Sequence, residues 1–173
     1  MTKVIGIDPS LTSTGVASPL GWTEAIKTKK LRGLPRLRHI LNELRTYTLG
    51  STLAVIEGPS YGHSGMRQHE ELVALRWMIY DLLDRADIPY VLVPPSSLKL
   101  WATGKGNASK EDVAAAMDRR HDDGEFLAKK RFDEADALAL AEMGAGWLNN
   151  WCLSPERQRA MAAVAWPELE VAQ

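Results

Sequence analysis

The chain has 173 residues, 45% hydrophobic and 25% charged, which argues against a disordered or fibrous protein and suits one domain of roughly 150 residues with a small appendage. Its single cysteine, Cys152, rules out an intramolecular disulfide, and no uncharged apolar run approaches the ~20 residues of a membrane span. A net charge of -1 (22 acids, 21 bases) speaks against a purely electrostatic DNA binder, yet seven Lys/Arg stand against one acid, Glu43, between Lys27 and Arg45.

The chain enters a strand directly, without the apolar stretch of a signal peptide. Lys3 to Asp8 is a buried strand with Val4, Ile5 and Ile7 apolar. Pro9-Ser10 ends it. Gly15 to Ser18 is a second, weaker strand, and Trp22 to Lys27 a third after the Pro19-Leu20-Gly21 turn. Leu34, Leu37, Ile40, Leu41 and Leu44 predict a helix, with Arg36, Arg38 and Arg45 off the apolar stripe. Leu53 to Ile56 is a short strand that delivers Glu57 before Gly58-Pro59 stops it. Ser60 to Gly65 is a loop.

A long helix is predicted from Arg67 to Ala86. Leu72, Leu75, Ile79, Leu82 and Leu83 line one side, and Val73, Trp77 and Met78 widen the stripe. Tyr90 to Val93 is the fifth strand, and Ser96 to Trp101 a short helix. Ser109 has the character of an N-cap before Lys110, Glu111 and Asp112, so a helix runs from there to about Arg120. His121 to Lys130 reads as loose and polar. Phe132 to Trp147 is a helix with Leu138, Ala141 and Ala145 at helical spacing, and a tail helix starts at Ser154-Pro155. The order predicts an α/β fold, a mixed sheet with helices on both faces. Residues 1–150 form the main domain, and residues 151–173 a helical tail packed on it.

Asp8 and Glu57 end two strands. If these are central and parallel, both carboxylates emerge where open α/β sheets place ligands. Singly, each is an ordinary turn starter or strand exit. Asp133 and Asp136, spaced i, i+3, share one helix face. First-turn acids facing the helix dipole would account for Asp133 and Glu134, but less well for Asp136 between Ala135 and Ala137. Together the four carboxylates would repel one another and attract divalent cations. Oxygen-only donors suit Mg²⁺ or Mn²⁺, and two such ions about 4 Å apart clamp the attacking and leaving oxygens of a phosphodiester. Other motifs fail on context. Asp133-Glu134-Ala135-Asp136 follows Lys-Lys-Arg-Phe rather than an apolar strand, so it is no helicase motif. Lys105 lacks the first glycine of a P-loop, and His39, His63, His69 and His121 show no zinc spacing.

Four segments in order resemble the RuvC-type Holliday-junction resolvases. They are Ile5-Gly6-Ile7-Asp8-Pro9-Ser10 followed by Thr14-Gly15; Ile56-Glu57; Leu98-Lys99 with Gly104-Lys105-Gly106-Asn107-Ala108-Ser109-Lys110; and Asp133-Glu134-Ala135-Asp136-Ala137-Leu138-Ala139. The resemblance spans about residues 3 to 147. It implies an RNase H-like fold with a five-stranded mixed sheet, and a homodimer that nicks two opposing strands of a four-way DNA junction. The nicks would leave 5′-phosphate and 3′-hydroxyl ends. It also implies Asp8, Glu57, Asp133 and Asp136 as ligands of two Mg²⁺ ions, with Mn²⁺ as a substitute and no nucleotide cofactor. Lys99 and Lys110 match family lysines near the scissile phosphate, where a cation offsets developing charge; a solvated first-turn position is the plain alternative for Lys110. Tyr61, Arg67 and Lys105 are further candidates for DNA contact. Ser10 stands where the family usually has Gly. Gly58-Pro59-Ser60 stands where cellular members place a junction-opening aromatic, with Tyr61 nearest. That divergence points to a bacteriophage member acting in the host cytoplasm; a cellular member would act in the cytoplasm.

Other readings remain open at this stage. The first motif also resembles sugar kinases and actin-like ATPases, but these need two duplicated domains. A broader nuclease for flaps and forks shares the backbone chemistry, and a non-catalytic junction binder would share the fold. Trp147, Trp151 and Trp166 beyond the last acidic helix are expected to pack the tail against the body rather than to meet DNA.

Overall fold

The computed structural model describes residues 3–59, 66–121 and 125–168. Its elements in order are β1 (Val4–Asp8), β2 (Ser13–Ala17), β3 (Thr23–Lys27), α1 (Gly33–Thr48), β4 (Leu53–Glu57), α2 (Met66–Asp84), β5 (Tyr90–Val93), α3 (Pro95–Thr103), α4 (Lys110–Asp118), α5 (Phe132–Leu148) and α6 (Pro155–Ala162). The five strands form one mixed sheet in the order β3-β2-β1-β4-β5. β1, β4 and β5 run parallel, and β2 and β3 run antiparallel to them. Parallel neighbours need crossover connections, supplied here by α1 and α2. β2 starts two residues before the predicted Gly15, because Ser13 already pairs with Lys27.

Two apolar clusters cover the two faces. Ile5, Ile7, Ile26, Ala54 and Ile56 pack against Leu37, Ile40 and Leu44 of α1 and Leu75, Ile79 and Leu83 of α2. On the other face, Val4, Leu53, Val55, Val91 and Val93 meet α5, backed by α3, α4 and α6. Alternate strand residues thus feed opposite cores, which is the period-two pleat at work.

α5 is buried from Glu134 through Gly146, on every side rather than along one stripe. A helix apolar all round belongs inside; this one lies between the sheet and α3–α4. It comes so near the sheet that a Cβ on Gly6 would stand 1.9 Å from the Ala137 carbonyl oxygen. One on Gly15 would stand 1.9 Å from that of Asp133. Both positions therefore require glycine, and the close approach carries the acidic start of α5 to the ends of the central strands.

Several expectations change. Arg36 is not on the solvent side of α1: it is 7% exposed, donates to the Leu31 carbonyl at 2.9 Å and pairs with Glu71 of α2 at 3.4 Å. Trp77 does not widen the buried stripe of α2 but is 68% exposed, beside an exposed Val73. The residues before α5 are not loose where described. Phe126 is buried, and the backbone amides of Phe126 and Leu127 donate to the Asp118 carboxylate at 2.6 and 3.1 Å. Trp147 at the end of α5 and Trp166 of the tail stack at 5.0 Å, and Arg157 of α6 lies 4.7 Å over the Trp101 ring. Those two tryptophans pack the tail as expected; Trp151 is exposed.

Candidate active site

β1 and β4 are adjacent and parallel, with Ile7 opposite Ile56. The next residue on each strand, Asp8 and Glu57, is therefore side by side at the carboxyl edge of the sheet. Gly6 and Val55 face α5, so by alternation Asp8 and Glu57 face it too. Asp133 and Asp136, in the first turns of α5, come within electrostatic range of the same edge. Three segments far apart in sequence thus place four acids in one patch.

The turn after Asp8 is held by its own hydroxyls. Thr14 is fully buried; its Oγ1 donates to the Ser10 carbonyl at 2.7 Å and accepts from the Ser10 amide at 3.2 Å. The Ser10 hydroxyl in turn accepts from the amides of Thr12 and Ser13 at 3.4 Å. Serine thus closes this turn with side-chain bonds.

The carboxylates feel one another strongly. Asp8 holds its proton well above the usual aspartate range, first because it is buried and then because Glu57, Asp136 and Asp133 are near; it also shares a hydrogen bond with Glu57. Burial and Glu57 push Asp136 up to about 7, against the pull of Lys110 and Lys99. Lys110 opens α4, and its Nζ lies 3.6 Å from Asp133 Oδ1. Burial works against its charge, but Asp8, Asp133, Asp136 and Glu57 together raise its pKa. Lys110 is placed by its helix: Ser109 and Asp112 form a reciprocal cap, with bonds of 3.1 and 3.0 Å.

Among the described residues, no three acidic side chains close on a single point as they stand. They share a patch and act at electrostatic range. Four carboxyl groups crowded together favour a bound cation over their own protons, and every donor is an oxygen, so the set fits hard divalent cations.

The remaining candidates divide. Lys99, half-buried on α3, adds its field at Asp136. Lys105 is exposed on the α3–α4 loop, where its charge acts on Asp112. Arg67 falls in the first turn of α2. Tyr61 lies outside the described residues.

One polar cluster was not foreseen. Glu142 of α5 is 8% exposed and accepts from Arg120 at 2.8 Å, from Trp101 Nε1 at 3.3 Å, and faces His121 Nε2 at 2.9 Å. Arg120 also donates to the carbonyls of Trp101 and Ala102 at 3.2 and 2.5 Å. The cluster ties the ends of α3 and α4 to the helix that carries Asp133 and Asp136. Its sequence signal was Glu142, a glutamate in the otherwise apolar second half of α5.

No family model matches the chain. A Chlamydia trachomatis protein named crossover junction endodeoxyribonuclease RuvC is 28% identical over 149 residues, covering 80% of this chain and 88% of that protein. A Nocardia farcinica protein of the same name is 49% identical over 57 residues, 33% of this chain and 29% of that one. Among solved structures, Thermus thermophilus RuvC in complex with a Holliday junction substrate superposes with a TM-score of 0.69. It shares 19% identity and covers 87% of this chain and 96% of that chain. A second Thermus thermophilus RuvC structure gives 0.64 at 21% identity, over 86% and 96%. The backbone likeness establishes an RNase H-like fold.

Proposed function

We propose that this chain, a relative of the RuvC-type crossover junction endodeoxyribonucleases, is a structure-selective endonuclease that resolves four-way DNA junctions. It does so by paired nicks in opposing strands, leaving 5′-phosphate and 3′-hydroxyl ends. The observation that carries the reading is the patch of Asp8, Glu57, Asp133 and Asp136, with Lys110 against it, in a chain similar to those enzymes along most of its length.

Asp8, Glu57, Asp133 and Asp136 would hold two Mg²⁺ ions, with Mn²⁺ as a substitute. Bound there, the ions supply Lewis acidity to the attacking and leaving oxygens of a phosphodiester. The protein's own groups do the rest. The capped start of α4 sets Lys110 where its ammonium can meet a phosphate oxygen and offset charge as it develops. Lys99 adds positive field at Asp136. The buried strand ends fix Asp8 before substrate arrives, so little reorganisation is needed.

Paired nicks need two sites at a fixed separation, which a two-fold dimer provides. The exposed Val73 and Trp77 of α2 and Leu92 of β5 lie on the same side of the sheet, next to the stacked Tyr80 and Tyr90. They form an apolar surface suited to a second copy of the chain. No helix among the described residues is long and apolar enough to cross a membrane, and the enzyme would act on DNA in the cytoplasm.

The test is cleavage of a labelled synthetic four-way junction with Mg²⁺ or Mn²⁺, beside duplex, flap and fork controls. Symmetric nicks confined to the junction and abolished by EDTA are expected. Equal cutting of flaps and forks would make it a general branched-DNA nuclease, and tight binding without cutting a junction-binding protein.

A further inference from the structure

The pleat of β3 turns Thr23, Ala25 and Lys27 toward α5. They pair with Ala17, Gly15 and Ser13 of β2, and Gly15 abuts the start of α5. Thr23 confirms this orientation: its hydroxyl bonds Glu134 at 2.9 Å and receives Arg131 at 2.8 Å. Four residues further on, on the same face, Lys27 reaches a cleft lined by Ser13, Lys129, Lys130, Phe132 and Asp133. The cleft therefore shares Asp133 with the acidic patch and leads away from it over the outer strands. Lys27, Lys129 and Lys130 are all exposed.

The acids nearby are already engaged. Glu134 is taken by Arg131 and Thr23, and Glu125 by Lys129. Glu24 stands on the opposite side of β3, near Tyr47 of α1. Lys27 and Lys130 form no ion pair among the described residues. In a chain of net charge -1, Lys27 and Lys130, with Lys129 paired to Glu125 beside them, make the cleft that opens from the carboxylate patch a local site for an anion. A site beside a phosphodiester-cutting centre meets one repeating anion, the sugar-phosphate backbone on either side of the cut.

We infer that Lys27, Lys129 and Lys130 form a backbone track that holds the phosphates of a DNA strand leaving the active site past Asp133. The inference rests on the junction-resolving function proposed above. The track contacts phosphate rather than base edges, so it sets affinity and register, not sequence preference.

The test compares three forms of the full chain: the parent, Lys27→Ala/Lys129→Ala/Lys130→Ala, and a charge-matched control, Arg38→Ala/Arg45→Ala/Arg85→Ala, whose exposed arginines lie on α1 and beyond α2. Affinity for a labelled four-way junction is measured against salt in EDTA, and circular dichroism checks that each form folds. The lysine variant is expected to flatten the slope of log affinity against log salt by about 2 to 3, roughly one for each lost phosphate contact. Its affinity falls on the order of tenfold or more near 0.1 M salt, while the control keeps the parent's slope. Equal slopes for parent and lysine variant, or equal losses in both variants, would overturn the track and leave the nuclease reading standing. A parent that binds no junction would overturn both.

Discussion

Asp8 sits at the end of β1, where burial first, and then the nearby Glu57, Asp136 and Asp133, raise its pKa above the ordinary aspartate value. Asp8→Asn removes one of the proposed metal ligands while keeping the shape of the side chain. Cleavage is expected to fall by about a thousandfold or more, because several kcal/mol of transition-state stabilisation go with a metal ligand. Junction affinity, measured by gel shift, should be retained; cutting at the parent rate would show the carboxylate patch is not the active site. Asp136 makes the same repulsion visible as pH dependence. Its folded-state pKa, about 7, lies above the ~3.9 of an unfolded aspartate. The folded chain thus binds the proton more tightly, and this contribution is fully present below the unfolded value and lost as pH rises through about 7. In EDTA, the melting temperature of Asp136→Asn should therefore gain on the parent from about pH 5 to about pH 8. A constant difference would mean that Asp136 ionises normally. These four acids were legible in the sequence because each stands at a strand exit or a helix start. Arg36 and Glu142 were not, because their partners come from other elements and no local pattern records them.

The start of α5 and the length of α4 are where elements decide the site. Gly15 lets α5 touch the sheet, and a methyl there would meet the Asp133 carbonyl oxygen at 1.9 Å. Gly15→Ala should cost about 3 kcal/mol or more in urea unfolding, at the upper end of overpacking penalties because backbone must move. It should also impair cleavage, since the displaced turn carries Asp133. α4 is fixed at both ends, by the Ser109 cap next to Lys110 and by Arg120 bonded to Glu142. Glu142→Ala leaves Arg120 without its carboxylate in a mostly buried setting, a loss of about 3 kcal/mol. Glu142→Gln, which keeps an acceptor, should lose clearly less; equal losses would show that packing, not the ion pair, holds these helix ends. The helices and strands themselves were readable from periodicity and turn residues, and most boundaries fell within two or three residues. The all-round burial of α5 was less readable, because its alanines look like weak core positions until the glycines opposite are known to admit a close approach.

For the whole molecule, strand order follows from physics that sequence signals only indirectly. The hairpin of β2 and β3 lies on one edge and β5 on the other, so the acidic ends of β1 and β4 are central. The basic run from Lys27 to Arg45 showed in the sequence as one block, but the fold divides it. Lys27 turns to the cleft beside Asp133, Arg36 goes inside to Glu71, and Arg38 and Arg45 remain on the solvent side of α1. The exposed Trp77 is the other global feature. A tryptophan left in water on an otherwise packed helix costs solubility, and burying it against a second copy recovers its apolar area. Trp77→Glu puts a charge at the centre of that surface without touching the core, so the monomer should fold with an unchanged melting transition. Sedimentation should show a dimer for the parent and a monomer for the variant. On a supercoiled plasmid with an extruded cruciform, the parent should give linear product from two coordinated nicks. The variant, cutting one strand per encounter, should give nicked circles instead. Linear product from a monomeric variant would show that the two cuts do not depend on this face of α2.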